Sequence, residues 1–232
     1  MDCTKLYKVV SPSVVNVVQL NANNVFCSTA SGVLIEDGSK ILTCFHCVDA
    51  NSKNGILMDK AKGLVQLVTI IFSNKDNDIA VLDAGKPIGP PATLVSSANL
   101  EIGNEIFTIG FPYSIESEKT LTTGNIAAFE SGLIKIDTSV NNGNSGGPLF
   151  NKNGEVVGIV NAKLGSLSKF LDNIEKAKPQ AFMQIGGIDP VQTIQQMLRE
   201  MKQNLNLGIG YAIPSDTISQ LSPLVKSLIT TE

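Results

Sequence analysis

Histidine occurs once in this sequence, at position 46, so any reaction that needs an imidazole base has a single candidate. Charge is also scarce. Charged residues make up 17% of the chain, the net charge is -3, and no long Lys/Arg run occurs. That leaves no electrostatic footprint for nucleic acid or an anionic membrane, and such partners are disfavoured. No apolar stretch approaches the roughly 18 residues of a spanning helix, so no membrane span is expected. The start, Met1-Asp2-Cys3-Thr4-Lys5, lacks a charged segment followed by an apolar one, so the chain as written reads as soluble and cytoplasmic. A processed organellar or exported form would look the same. Only four cysteines occur, Cys3, Cys27, Cys44 and Cys47, and a reducing compartment would keep them as thiols.

What is present points to a β-rich globular chain. The 20 glycines and 10 prolines are spread as turn punctuation among 43% hydrophobic residues, without low-complexity tracts. Val14-Val15-Asn16-Val17-Val18 follows the turn Ser11-Pro12-Ser13 and predicts a first strand. Residues 26–36 and 40–43 flank Asp37-Gly38, a tight hairpin signal, and residues 63–72 and 79–82 are further β-branched runs. Residues 1–85 thus read as a barrel of about six strands. Three prolines between Lys86 and Pro91 suit neither helix nor central strand, and 86–100 reads as a linker.

Strand patterns return at 105–110, 120–129, 133–137, 148–150, 155–162 and 208–213, which gives a second barrel over 101–232. An insertion over 164–206 breaks this texture. Asp189-Pro190 caps an apolar series, Ile194, Met197, Leu198, Met201 and Leu205, at helical spacing. A last helix is predicted over 215–228. The fold class is all-β: two six-stranded antiparallel barrels with a helical insertion and a C-terminal helix.

The chemistry centres on Gly143-Asn144-Ser145-Gly146-Gly147-Pro148-Leu149. A serine hydroxyl needs a base and a group that orients the base. Glycines let the chain turn sharply, so amides of Gly143, Asn144 and Ser145 can converge as an oxyanion hole. His46 stands just beyond an apolar strand in Leu42-Thr43-Cys44-Phe45-His46-Cys47, and Asp78 stands at the entrance to Ile79-Ala80-Val81-Leu82. The order His46, Asp78, Ser145 is one of the chain orders of a Ser-His-Asp triad. Asp76, Asp49 and Asp83 are rival acids.

These residues, with Ser31-Gly32-Val33-Leu34-Ile35, Gly110-Phe111-Pro112, Thr123-Gly124-Asn125-Ile126, Gly158-Ile159-Val160-Asn161 and Gly208-Ile209-Gly210-Tyr211-Ala212-Ile213, resemble chymotrypsin-fold proteases of the HtrA/Deg type over nearly the full length. The resemblance implies a serine endopeptidase domain without a PDZ domain, acting on unfolded or extended polypeptides through an acyl-enzyme. Its residues are Ser145 as nucleophile, His46 as base and Asp78 as acid, with no metal or cofactor. It also implies a homo-oligomer, a trimer among relatives. Asn144 departs from trypsin relatives that carry Asp there, so no pairing with a new amino terminus is expected. Ser139, Val140, Asn141, Asn142, Val160, Asn161, Ala162 and Ile209 are expected to wall the substrate pocket. Ser139 replaces the acid of trypsin-type enzymes, which implies small or medium aliphatic residues before the scissile bond. The other functional reading is a catalytically weak protease-fold module that binds peptides or acts as a chaperone or scaffold. For the cysteines three readings stand: free thiols, a Cys27–Cys47 disulfide, and a zinc site beside His46.

Overall fold

In the computed structural model, residues 1–112, 118–161, 196 and 208–230 are described. The first barrel is built from β1 (Val14–Leu20), β2 (Phe26–Ile35), β3 (Lys40–Thr43), β4 (Lys53–Asp59), β5 (Leu64–Asn74) and β6 (Ile79–Asp83). It closes in the order β1-β2-β3-β6-β5-β4. Its β-branched strands bury Val14, Val17, Val33, Ile41, Ile56, Ile79 and Val81 inside, each contributing on the order of 1.5–3 kcal/mol of apolar transfer.

A short pair-forming strand, β7 (Leu94–Val95), leads to the second barrel: β8 (Glu105–Gly110), β9 (Thr120–Glu130), β10 (Leu133–Ile136), β11 (Pro148–Asn151), β12 (Val156–Val160) and β13 (Gly210–Pro214). The order is β11-β8-β9-β10-β13-β12, and a β11–β12 pairing closes it. β7 pairs in parallel with β12, and β14 (Ile229–Thr230) pairs in parallel with β7. Phe107 and Phe150 stack with centroids 4.9 Å apart. They belong to one core cluster with Ile41, Leu42 and Val81 of the first barrel, so the barrels share apolar packing.

Several elements escape the sequence pattern. β4 does: it contains Gly55, where a Cβ would lie 2.2 Å from Val65 Cγ1, and the missing side chain is what lets β5 approach. An N-terminal helix, α1 (Cys3–Val10), is capped by Asp2, whose side chain accepts from Lys5 N at 3.2 Å, and packs Leu6, Tyr7 and Val10 on the core. Within residues 86–100, Ile88 N donates to Gly38 O at 3.0 Å and Ala92 N to Leu34 O at 2.8 Å, which fastens this stretch to the first barrel. The single helix predicted over 215–228 is two, α2 (Ser215–Leu221) and α3 (Pro223–Leu228). Pro223 disfavours helix at Ser222, which is extended and caps α3 by accepting from Val225 N. The insertion expected over 164–206 lies outside the described residues apart from residue 196.

Candidate active site

His46 sits on a 3-10 turn, Phe45–Cys47, that follows β3. The turn is fixed to the segment before β6, since Phe45 N donates to Asp78 O at 3.1 Å. Asp78 itself has φ 56, the left-handed region that aspartate tolerates better than most residues. That bend turns its carboxylate back onto His46. Oδ1 accepts from the His46 amide at 2.8 Å, and Oδ2 lies 2.6 Å from His46 Nδ1. Because a carboxylate only accepts, Nδ1 carries the proton, and in the neutral imidazole Nε2 is left as the basic nitrogen.

The rival acids are engaged elsewhere or do not meet His46. Asp83 pairs with Lys40 at 3.2 Å and Asp49 accepts from Ser52 Oγ at 2.9 Å.

Asn161 supplies a contact to the acid that the sequence pattern does not suggest. Expected as a pocket wall, it is fully buried, and its Nδ2 donates to Asp78 Oδ2 at 2.6 Å while its amide donates to Tyr211 O at 2.8 Å. The only available signal was a polar residue ending an apolar strand, which needs a partner when buried. Burial works to raise the Asp78 pKa, but His46, and after it Asn161, hold the carboxyl below its usual value.

The Ser145 loop is clasped between both barrels. Gly146 N donates to Val160 O at 2.9 Å and Val160 N to Gly147 O at 2.8 Å. Across the cleft, Ser31 N donates to Ser145 O at 2.9 Å and Ser31 Oγ donates to Gly143 O at 2.7 Å. Gly143 and Gly146 have φ of 96° and 83°. A Cβ on Gly146 would stand 2.1 Å from Thr43 Oγ1 and 2.2 Å from Ser31 O, so a side chain there would push the first barrel away. Ser145 and Asn144 are both buried at 4% exposure, and among the described residues Asn144 Oδ1 has no hydrogen-bond partner.

Of the expected pocket residues, Ser139, Val140 and Asn141 are half-buried, and Asn142 and Ile209 are exposed. Val140 and Gly210 face each other closely enough that a Cβ on Gly210 would lie 2.4 Å from Val140 Cγ2. Val160 is fully buried in the second core cluster, so its side chain packs inside the barrel and cannot wall an open pocket. Ala162 lies outside the described residues.

All four cysteines are free. The Cys27–Cys47 disulfide is therefore corrected. Cys27 is exposed near the start of β2, four residues or about 13 Å along the strand from Ser31, whereas Cys47 Sγ donates to the same Ser145 carbonyl that Ser31 holds, at 3.5 Å. Ligand atoms of Cys44, His46 and Cys47 lie within 4.8 Å of one another. Zinc of the structural kind takes four ligands, and among the described residues no fourth His, Cys, Asp or Glu joins this group. Burial works against the charged form of His46, but the hydrogen bond to Asp78, followed by that to Cys47, outweighs it and raises the pKa to about 9.

Residues 30–159 match the family described as "Trypsin-like peptidase domain". Among curated proteins, the chain is 33% identical over 140 residues to a "Probable periplasmic serine endoprotease DegP-like" of Halomonas elongata, covering 57% of this chain and 29% of that one. It is 27% identical to a "Serine protease HtrA-like" of Staphylococcus haemolyticus, covering 96% of this chain and 35% of the relative. The chain thus spans about a third of the length of these relatives. Among solved structures, "HtrA-type protease AlgW with tripeptide" superposes with a TM-score of 0.66 at 22% identity, covering 94% of this chain and 61% of that one, a likeness of fold.

Proposed function

Because this chain belongs to the trypsin-like peptidase family, we propose that it is a serine endopeptidase of the HtrA type that cleaves unfolded or extended polypeptides through an acyl-enzyme. The observation that carries the reading is the pair of hydrogen bonds that His46 donates to Asp78, from its amide to Oδ1 at 2.8 Å and from Nδ1 to Oδ2 at 2.6 Å, beside a Ser145 loop tied to the same barrel.

In this reading, Ser145 Oγ attacks the scissile carbonyl carbon as His46 Nε2 takes its proton. Asp78 keeps Nδ1 protonated and offsets the charge of the imidazolium. Amides of Gly143 and Ser145 receive the oxyanion, each donor worth about 3 kcal/mol in such sites, whereas the Asn144 amide is turned away and donates to Asn141 O at 3.0 Å. Collapse expels the amine, which leaves with the proton from His46. Water then enters, gives a proton to His46, and releases the carboxylic acid and Ser145.

The absence of a carboxylate at Ser139, Val140 and Ile209, with Val140 packed close to Gly210, supports a preference for small or medium aliphatic residues before the cut. Casein digestion by the wild type and by Ser145→Ala tests the activity. Loss of cleavage in the variant supports it; no cleavage by either protein favours a peptide-binding module, and equal cleavage by both overturns Ser145 as the nucleophile. A peptide library cut mainly after Lys or Arg would overturn the pocket reading.

A further inference from the structure

The motif Cys44-Phe45-His46-Cys47 places two thiols around the catalytic base, and the proposed chemistry uses neither. Cys44 is extended (φ -81, ψ 148) and precedes the 3-10 turn; Cys47 ends it, with Cys47 N donating to Cys44 O at 3.1 Å. That bond folds Cys47 back over Cys44 and brings the two sulfurs together. They lie within 4.8 Å of each other.

Each thiol is seated on the backbone of the serine half of the site: Cys44 Sγ donates to Val160 O at 3.4 Å and Cys47 Sγ to Ser145 O at 3.5 Å. Cys47 keeps 5% exposure while Cys44 is fully buried. The Cys44 thiol, by hydrogen bonding to Cys47, holds the Cys47 thiol down to about 6 against the effect of burial, whereas burial pushes Cys44 well up. Cys47 is therefore the attacking sulfur and Cys44 the resolving one.

We propose that Cys44 and Cys47 are a redox modification site: a low-molecular-weight disulfide of the glutathione class oxidises them to an internal disulfide, which disables the centre of His46 and Ser145. Cys47 thiolate attacks one sulfur of the oxidant, forming a mixed disulfide and releasing one thiolate. Cys44 loses its proton, attacks the Cys47 sulfur and releases the second. Two protein thiols lose two electrons, and the oxidant leaves as two thiols that carry the two protons. Ring closure shortens the sulfur separation to the ~2.05 Å of a disulfide. It also removes the contacts that the sulfurs make, as thiols, to the Ser145 and Val160 carbonyls and pulls on the turn that holds His46.

The effect on catalysis rests on the endopeptidase reading, so the test follows the disulfide and the imidazole separately from activity. The full chain carrying Cys3→Ala and Cys27→Ala retains only the two thiols in question. It is equilibrated with mixtures of reduced and oxidised glutathione. Both thiols should disappear together, with the peptide spanning 44–47 lighter by two hydrogens and no glutathione attached. The ring NMR signals of His46, the only histidine, should shift in step. Fluorophosphonate labelling should fall about 100-fold, as displacement of a catalytic group by about 1 Å does. A thiol reductant should restore all three, and a chelator should restore none.

A stable glutathione adduct without ring closure would overturn the proposal. So would ring closure that leaves the His46 signals unchanged, or recovery by chelator alone, which would instead indicate a soft metal ion on Cys44, His46 and Cys47. Should the double variant fail to fold, peptide mapping of the oxidised wild type decides the same question, with Cys44–Cys47 expected and any link to Cys3 or Cys27 contradicting it. If the reduced protein does not label at all, the endopeptidase reading fails, while the His46 signals still decide the switch.

Discussion

Ser31 Oγ donates a 2.7 Å hydrogen bond to the carbonyl of Gly143, joining the first barrel to the loop that carries Ser145 in the second. The same hydroxyl accepts from Phe111 N at 2.9 Å, and the Ser31 amide holds the Ser145 carbonyl. One fully buried serine therefore sets the position of the Gly143–Ser145 backbone.

Ser31→Ala leaves two backbone groups without this partner. Unmet buried groups cost about 1–3 kcal/mol, which, applied to transition-state support, is about 5- to 160-fold in rate. The expected outcome is a lower kcat with KM changed less than threefold, measured by steady-state kinetics on a peptide substrate.

Gly146→Ala meets both a φ of 83° and two oxygens within 2.2 Å of the new methyl. Strain at such a site is large, so the variant should lose about 3 kcal/mol or more and melt roughly 6–12 °C lower in calorimetry. A melting point within a degree of the wild type would contradict the packing described.

Asn161→Ala removes the Nδ2 donor from Asp78 while leaving the His46 contacts in place. A hydrogen bond to a charged group is worth about 1.5–3 kcal/mol, so kcat should fall about 13- to 160-fold, with partial recovery in Asn161→Ser. Unchanged kinetics would show that Asp78 needs no support from β12's end.

The pH profile follows from His46. It acts as a base only when neutral, and its value is raised to about 9, first by Asp78 and then by Cys47 working against burial. The kcat/KM of the reduced protein should therefore climb with rising pH through about 9. Cys47→Ala removes one raising influence and should move that limb to lower pH; a limb that stays put or moves up contradicts the role given to Cys47.

The barrels are legible in the sequence, and so is the placing of His46, Asp78 and Ser145 at strand ends, because these signals are local. Asp37-Gly38 and Asn153-Gly154 mark hairpins, and His46, Asp78 and Ser145 each adjoin an apolar strand whose pattern fixes where the chain emerges. β4 is not legible, since Gly55 serves a contact with Val65 that no neighbouring residue announces. The parts played by Ser31 and Asn161 are long-range as well. Their partners, Gly143 and Asp78, are separated from them by 112 and 83 residues, and only closure of both barrels brings them together. Val160 shows the reverse error: its place in a pocket motif suggests a wall, whereas strand alternation turns its side chain into the core.

The most direct measurement is labelling of the reduced protein with a fluorophosphonate probe at pH 9, followed by peptide mapping. The wild type should carry one adduct, on Ser145, and Ser145→Ala and His46→Ala should carry none. An unlabelled wild type, or an adduct on any other residue, would contradict a centre built from Ser145, His46 and Asp78.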